Sequence, residues 1–242
     1  MARLYGDAGA AALAAAHVTV VGIGGVGSWA AEALARCGVG RLTLIDLDHI
    51  AESNINRQVH ALEPELGKAK VGAMRERIAQ IAPACQVHAI EEFVSAQNVE
   101  ALIEPCDVLI DAIDQVAAKA ALVAHCVRLH LPVVVCGAAG GRRDPLRLAR
   151  EDLARAQGDP ILAKLRYRLR RDYGFARQGQ GRKLKFGVPA VYSDEVVQQP
   201  AAGLEAAAGL ACAGYGSSVV VTAPMGFAAA ACAIDGLVGR KA

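Results

Sequence analysis

HVTVVGIGGVGSWAAEALARCGVGRLTLID, residues 17–46, decides the fold. Residues 17–22 are short, β-branched and bounded by glycine, which is the pattern of a buried strand. Gly22, Gly24 and Gly27 then spell GxGxxG, and a helix is predicted from Gly25 to Cys37. Glycines at a strand-to-helix turn let backbone N–H groups approach phosphate, and the helix dipole favours the anion. RLTLID (41–46) is a second strand. It ends in Asp46, 19 residues past Gly27, where a carboxylate accepts hydrogen bonds from a ribose. The stretch therefore predicts a nucleotide site, although a tight turn without a ligand has the same glycines. Alone it does not choose between NAD and ATP.

Working outward, residues 47–66 form a polar connection too long for an ordinary turn. A helix over 67–81 follows, with Val71, Met74, Ile78 and Ile81 on one apolar face. QVHAI (86–90), DVLIDAI (107–113) and PVVVCG (132–137) are further strands, and 115–129 is a helix. Alternating strands and helices predict an α/β, Rossmann-like, doubly wound and mostly parallel sheet, with nucleotide at the carboxyl ends of its strands. After Gly141 the composition changes. Residues 142–215 are read as a basic, insertion-like segment within one domain spanning 1–242, with a helix over 160–173 and a strand and extended loop over 185–203.

The apolar run Val219–Ile234 is 16 residues long, short of the ~20 that span a bilayer. No membrane span is expected; the run reads as an apolar C-terminal helix beginning near Pro224. The alanine-rich N-terminus carries Asp7 and runs straight into the first strand, which argues against a signal peptide. Seven cysteines without a CxxC pair fit reduced thiols and a cytoplasmic location.

Several residues beside the glycine loop carry a more specific signal. Arg57 and Lys70 are cations able to neutralise a triphosphate and the charge developing on leaving pyrophosphate. Asp111 and Asp114 end the fourth strand, where one carboxylate and phosphate oxygens would hold Mg2+. Each has a plainer account: Asp114 as a helix cap, Arg57 and Lys70 as solvated cations, Asn54 as a turn residue, Asp111 as structural.

Taken together, GIGGVGSW (22–29), LIDLDHIAESNINRQ (44–58), GKAK (67–70) and DVLIDAID (107–114) resemble the ubiquitin-activating-enzyme-like adenylyltransferases. The resemblance implies Mg-ATP bound by Gly22, Gly24, Gly25, Gly27, Asp46, Asn54, Arg57 and Lys70, with the metal on Asp114. It implies a homodimer in which Arg3 reaches the neighbouring subunit's ATP site. ARLYG (2–6), NRQVHAL (56–62), CGAAGGRRDP (136–145), DPILAKLR (159–166) and CAGYGSSVVVTAPMGF (212–227) are similar to a branch of that family acting on a modified adenosine of tRNA. That branch implies activation of a carboxylate as its adenylate, ring closure with loss of AMP, and a cysteine desulfurase as a sulfur-acceptor partner. The alternative is activation of a ubiquitin-like sulfur carrier protein, but activators of that kind usually carry two zinc-binding CxxC pairs, and this chain has none.

Charge distribution points the same way. Residues 164–185 hold nine cations and one anion, while the rest of the chain holds 17 cations against 23 anions. A basic segment with Tyr167, Tyr173 and Phe175 as stacking surfaces suits a polyanion such as tRNA, although such a run is also often a solvated face. His60 has two readings, a place near the phosphates and, the favoured one, a packed histidine. Cys212, in a glycine-rich loop, is a candidate thiol that the chemistry does not require.

Overall fold

The structure, a computed structural model, describes residues 1–177, 185–198 and 215–239. In chain order the strands are β1 (His17–Val21), β2 (Arg41–Ile45), β3 (Gln86–Ile90), β4 (Val108–Asp111), β5 (Val133–Cys136), β6 (Leu148–Asp152) and β7 (Pro189–Ser193). The helices are α1 (Ala2–Ala15), α2 (Gly27–Arg36), α3 (Lys70–Ile81), α4 (Val99–Leu102), α5 (Val116–Arg128), α6 (Pro160–Asp172) and α7 (Val219–Val238).

One seven-stranded sheet has the order β3-β2-β1-β4-β5-β7-β6. All neighbours are parallel except β6, which runs antiparallel to β7 at the edge. The doubly wound prediction therefore holds, and the strand order reverses between β1 and β4, where such sheets bind ligands. Residues 142–177 and 185–198, within the segment read as insertion-like, contribute β6 and β7 to this same sheet, with α6 between them in sequence.

Alternation along the strands builds two cores. Val18, Val20, Leu42, Leu44, Ile110 and Cys136 face α1, α2, α3 and α7, whereas Val21, Ile45, Leu109, Val133 and Val135 face α4, α5 and α6. The predicted apolar face of α3 is largely realised: Val71, Met74 and Ile78 are buried.

Three elements lie outside the sequence reading. The first is α1, an alanine-rich helix with a non-helical Gly6. The second is the four-residue α4. The third is β6, whose residues LARED do not alternate and which owes its strand conformation to pairing with β7.

The C-terminal helix corrects the expectation in two respects. It begins at Val219, five residues before Pro224, because Ser218 caps it through the Val220 N–H. At 20 residues it is long and apolar enough to cross a membrane by length and composition. It nevertheless lies against α1, α2, β4, β5 and β7, and 56% of its apolar window is buried inside the molecule.

Candidate functional site

The glycine loop leaves β1 at Gly22, whose φ of +87° is open to glycine and strained for other residues. A Cβ there would stand 2.9 Å from the Ala112 carbonyl carbon. A Cβ on Gly27, the first residue of α2, would stand 1.8 Å from the Gly22 oxygen. The loop is thus folded back on itself and wedged against the turn after β4. No side chain caps α2, so the positive end of its dipole faces the loop.

Asp46 follows β2 and ties this loop down. One carboxylate oxygen accepts from the Ile23 N–H at 2.6 Å, and the other from the Asp48 N–H at 2.8 Å. Burial raises its pKa, opposed by the nearby Lys70 ammonium and by those two donors.

The two predicted cations converge on the same mouth. Lys70 is the first residue of α3, and its almost wholly buried side chain places Nζ 2.7 Å from an Asp48 oxygen. Arg57 lays its stem over the loop: a Cβ on Gly25 would sit 3.4 Å from Arg57 Cγ and 3.1 Å from Thr222 Cγ2. The Arg57 carbonyl accepts from Trp29 Nε1 on α2 and Thr222 Oγ1 on α7, so both helices hold it. Its guanidinium donates to the Ser53 carbonyl and the Asn56 side chain. Neither cation is a freely solvated surface charge.

The remaining candidates fall differently. The buried Asn54 spends its side-chain oxygen on the Ala51 N–H, within the turn that leads to Arg57. Asp114 is exposed and makes no ion pair or hydrogen bond among the described residues. It does not cap α5, whose cap position is Gln115. The helix-cap account of Asp114 therefore fails; its carboxylate is exposed, and it follows Ala112 and Ile113, which pack against Gly22. Asp111 is wholly buried and paired with Lys119. Arg3 is exposed on α1, with no hydrogen bond or ion pair to the other candidates within the chain.

Gln58, which has no role in the sequence reading, joins the site, and His60 is packed as expected. Gln58 is buried with Oε1 unpartnered, and its Nε2 lies 4.0 Å from a Cβ built on Gly24. His60 is buried with both ring nitrogens unpartnered; burial, then Lys70 and Arg77, lower its pKa to about 4. A lone glutamine has no spacing that marks it, whereas the adjacent Arg57 did stand out. Thr222 was hidden because it reaches the loop from 165 residues away.

No group of three or more His, Cys, Asp or Glu side chains exists among the described residues to make a closed metal cage. A single open carboxylate, Asp114, fits Mg2+, which keeps waters and takes its other ligands from phosphate. The six described cysteines are free, and burial pushes Cys126 and Cys136 up to about 12. Cys212 lies outside the described residues.

On the basic segment, α6 buries Ile161, Leu162, Leu165 and Leu169; Lys164 and Arg171 are exposed, whereas Arg166, Arg168 and Arg170 are half-buried, and Arg166 and Arg170 each bury one guanidinium nitrogen. Arg171 stacks on the exposed Tyr167 at 5.4 Å and bonds Asp172, which also pairs Arg168. Phe175 corrects the expectation: it packs edge-on against Phe186 at 4.9 Å, beneath core residues, and is not a free stacking surface. Arg182 and Lys183 lie outside the described residues.

Residues 1–154 match the model of the ThiF family. The chain is 44% identical, over all of its length and 93% of the relative's, to tRNA threonylcarbamoyladenosine dehydratase of Escherichia coli (strain K12). A crystal structure of an E. coli tRNA N6-threonylcarbamoyladenosine dehydratase in complex with ATP superposes with a TM-score of 0.89, covering 98% of this chain and 92% of that one. A second crystal structure of the E. coli protein, with AMP, gives the same TM-score and coverage.

Proposed function

The chain belongs to the ThiF family, and on that premise we infer that it is an ATP-dependent enzyme which adenylates the carboxylate of threonylcarbamoyladenosine in tRNA and closes it into a ring, expelling AMP. A carboxylate resists nucleophilic attack. Transfer of an adenylyl group from ATP, with loss of pyrophosphate, converts its charged oxygen into part of a leaving group. A ureido atom of the same side chain then attacks the activated carbonyl and AMP departs. The substrate loses one water in total, its oxygen retained by AMP. Ring closure is intramolecular, so proximity supplies much of the rate.

The observation that carries this reading is the seating of Arg57 and Lys70 around a phosphate-binding loop, one laid over Gly25 and the other beside Asp46. A dinucleotide has two phosphates and leaves nothing charged; a triphosphate losing pyrophosphate needs cations where the leaving charge grows. In this reading the glycine loop and the α2 N-terminus take the phosphates, Asp46 the ribose, and Asn54 the shape of the Arg57 turn. Mg2+, when bound by Asp114, supplies further neutralisation of the phosphates. Arg3 acts from the second copy of a homodimer. The basic segment 164–185 holds tRNA, a cysteine desulfurase is the sulfur-acceptor partner, and the setting is the cytoplasm.

Incubation with ATP, Mg2+ and tRNA bearing the open modification, followed by nucleoside mass spectrometry, tests the reading. A product lighter by one water is expected. An unchanged nucleoside together with pyrophosphate exchange stimulated by a carrier protein ending in Gly-Gly would replace it with carrier activation. Asp114→Ala is expected to abolish turnover while leaving the melting curve intact.

A further inference from the structure

Among the described residues, two ion pairs have both side chains wholly excluded from solvent: Asp111 with Lys119, and Arg142 with Asp159. The second has a local structural task. Asp159 caps α6 through the Leu162 N–H and accepts from the Ala138 N–H, and Arg142 donates to the Ala138 and Gly158 carbonyls. The first pair caps no helix; what it holds is the turn that follows β4. It lies at the end of β4 beside a core of Leu109, Leu122, Val123 and Val135. One Asp111 oxygen, Oδ2, has no partner at all. A buried ion pair is often replaceable by apolar groups without loss of stability, because desolvation offsets its attraction. Stability therefore does not explain its presence here, but its location does.

Lys119 reaches back from α5 to the strand end, with Nζ 2.9 Å from Asp111 Oδ1 and 3.3 Å from the Asp111 carbonyl oxygen. The same Oδ1 accepts from the Ile113 N–H at 3.3 Å. The pair thereby clamps the turn 111–114 from beneath. On its other side that turn backs the glycine loop: the Ala112 N–H donates to the Val21 carbonyl, and the Ala112 carbonyl and Ile113 Cγ2 leave no room for a side chain at Gly22. Asp114 is the next residue of the turn. The phosphate loop and the open carboxylate thus share one support, and the buried charges set its shape.

We propose that Asp111 and Lys119 are positioning residues, holding the 111–114 turn so that Asp114 and the glycine loop grip a magnesium-loaded nucleoside triphosphate together. This rests on the reading of Asp114 as the metal-binding carboxylate. Neither residue touches the nucleotide; both act through the backbone of the turn. Groups that orient a metal-binding carboxylate commonly matter about ten- to a hundred-fold in affinity.

The test uses the full-length protein, melting curves, and calorimetric binding of ATP with and without Mg2+. Lys119→Met strands a buried carboxylate and is expected to melt below the parent. The double replacement Asp111→Leu with Lys119→Met removes both charges and is expected to melt at or above the single variant. It is also expected to bind Mg-ATP about ten-fold or more weakly and to gain little affinity when Mg2+ is added. Parental Mg-ATP affinity in the folded double variant, with Asp114→Ala weakened, overturns the proposal alone. Parental affinity in Asp114→Ala overturns the assignment of Asp114 and the proposal with it. A double variant that melts below Lys119→Met makes the pair a requirement of folding and equally overturns the proposal.

Discussion

Gly27 shows how little slack the site has. Its missing side chain is the space occupied by the Gly22 carbonyl, 1.8 Å from where a Cβ would be. Gly27→Ala must open the loop, so ATP affinity is expected to fall by roughly ten-fold or more, about 1.4 kcal/mol or more, in calorimetric titration. This requirement was legible in the sequence because GxGxxG is a backbone demand written in residue type. His60 was legible as a packed histidine, and it is buried; that both of its ring nitrogens lack partners emerges only from the fold. Its pKa falls from 6.5 to about 4, so the unfolded chain binds the proton more tightly than the folded one. Stability from this residue is full above pH 6.5 and is lost as pH drops toward 4, amounting to roughly 3 kcal/mol at most. His60→Leu is expected to flatten the decline in unfolding free energy across that window relative to the parent, as read from denaturant titrations. An unchanged pH slope would mean that the histidine escapes its buried setting on protonation.

Among the elements, α7 joins fold to site. It crosses α2 at Gly226, where a Cβ would lie 2.5 Å from the Val26 carbonyl oxygen and 2.8 Å from Trp29 Cβ. Four residues earlier, Thr222 bonds the Arg57 carbonyl, and Asn56 donates to the Ser217 carbonyl just before the helix. Gly226→Ala is therefore expected to cost about 1–3 kcal/mol of stability and also to weaken ATP binding, because pushing α7 off α2 disturbs the Arg57 clamp. Melting temperature and ATP affinity measured on one preparation check both halves. Pro224 made the start of α7 hard to read. Proline is tolerated in a first turn, so the helix was expected to begin there; instead the cap at Ser218 and burial of Val221, Thr222 and Met225 carry the helix through it. The β6 edge was illegible for a related reason. Its pattern is set by the partner β7 and not by its own alternation. By contrast, β1, β2, β4 and β5 are apolar runs bounded by turn residues, and α3 has a clean apolar stripe, so the parallel core could be read from residues 17–137 alone.

At the scale of the whole molecule, the question is what the site receives and from where. The exposed Lys164 and Arg171 and the half-buried Arg168 of α6 belong to a basic segment on a chain that is otherwise acidic outside residues 164–185. Replacing all three by Ala is expected to weaken tRNA binding and to leave ATP binding unchanged. The slope of log affinity against log salt should fall by about 0.7–0.9 for each phosphate that is no longer neutralised. The complementary question concerns Arg3, which makes no hydrogen bond or ion pair to the ATP site of its own chain among the described residues. If it serves a second copy, each site draws residues from two chains. Arg3→Ala and Arg57→Ala should then each be inactive as homodimers. Mixed in equal amounts and allowed to exchange subunits, half of the dimers become hybrid. In each hybrid one site carries both defects and the other carries neither, so about a quarter of parental turnover should return. The same mixture kept from exchanging should stay inactive. An active Arg3→Ala homodimer, or a failure of the exchanged mixture to recover, would remove Arg3 from the site and leave Arg57 and Lys70 as its only assigned cations.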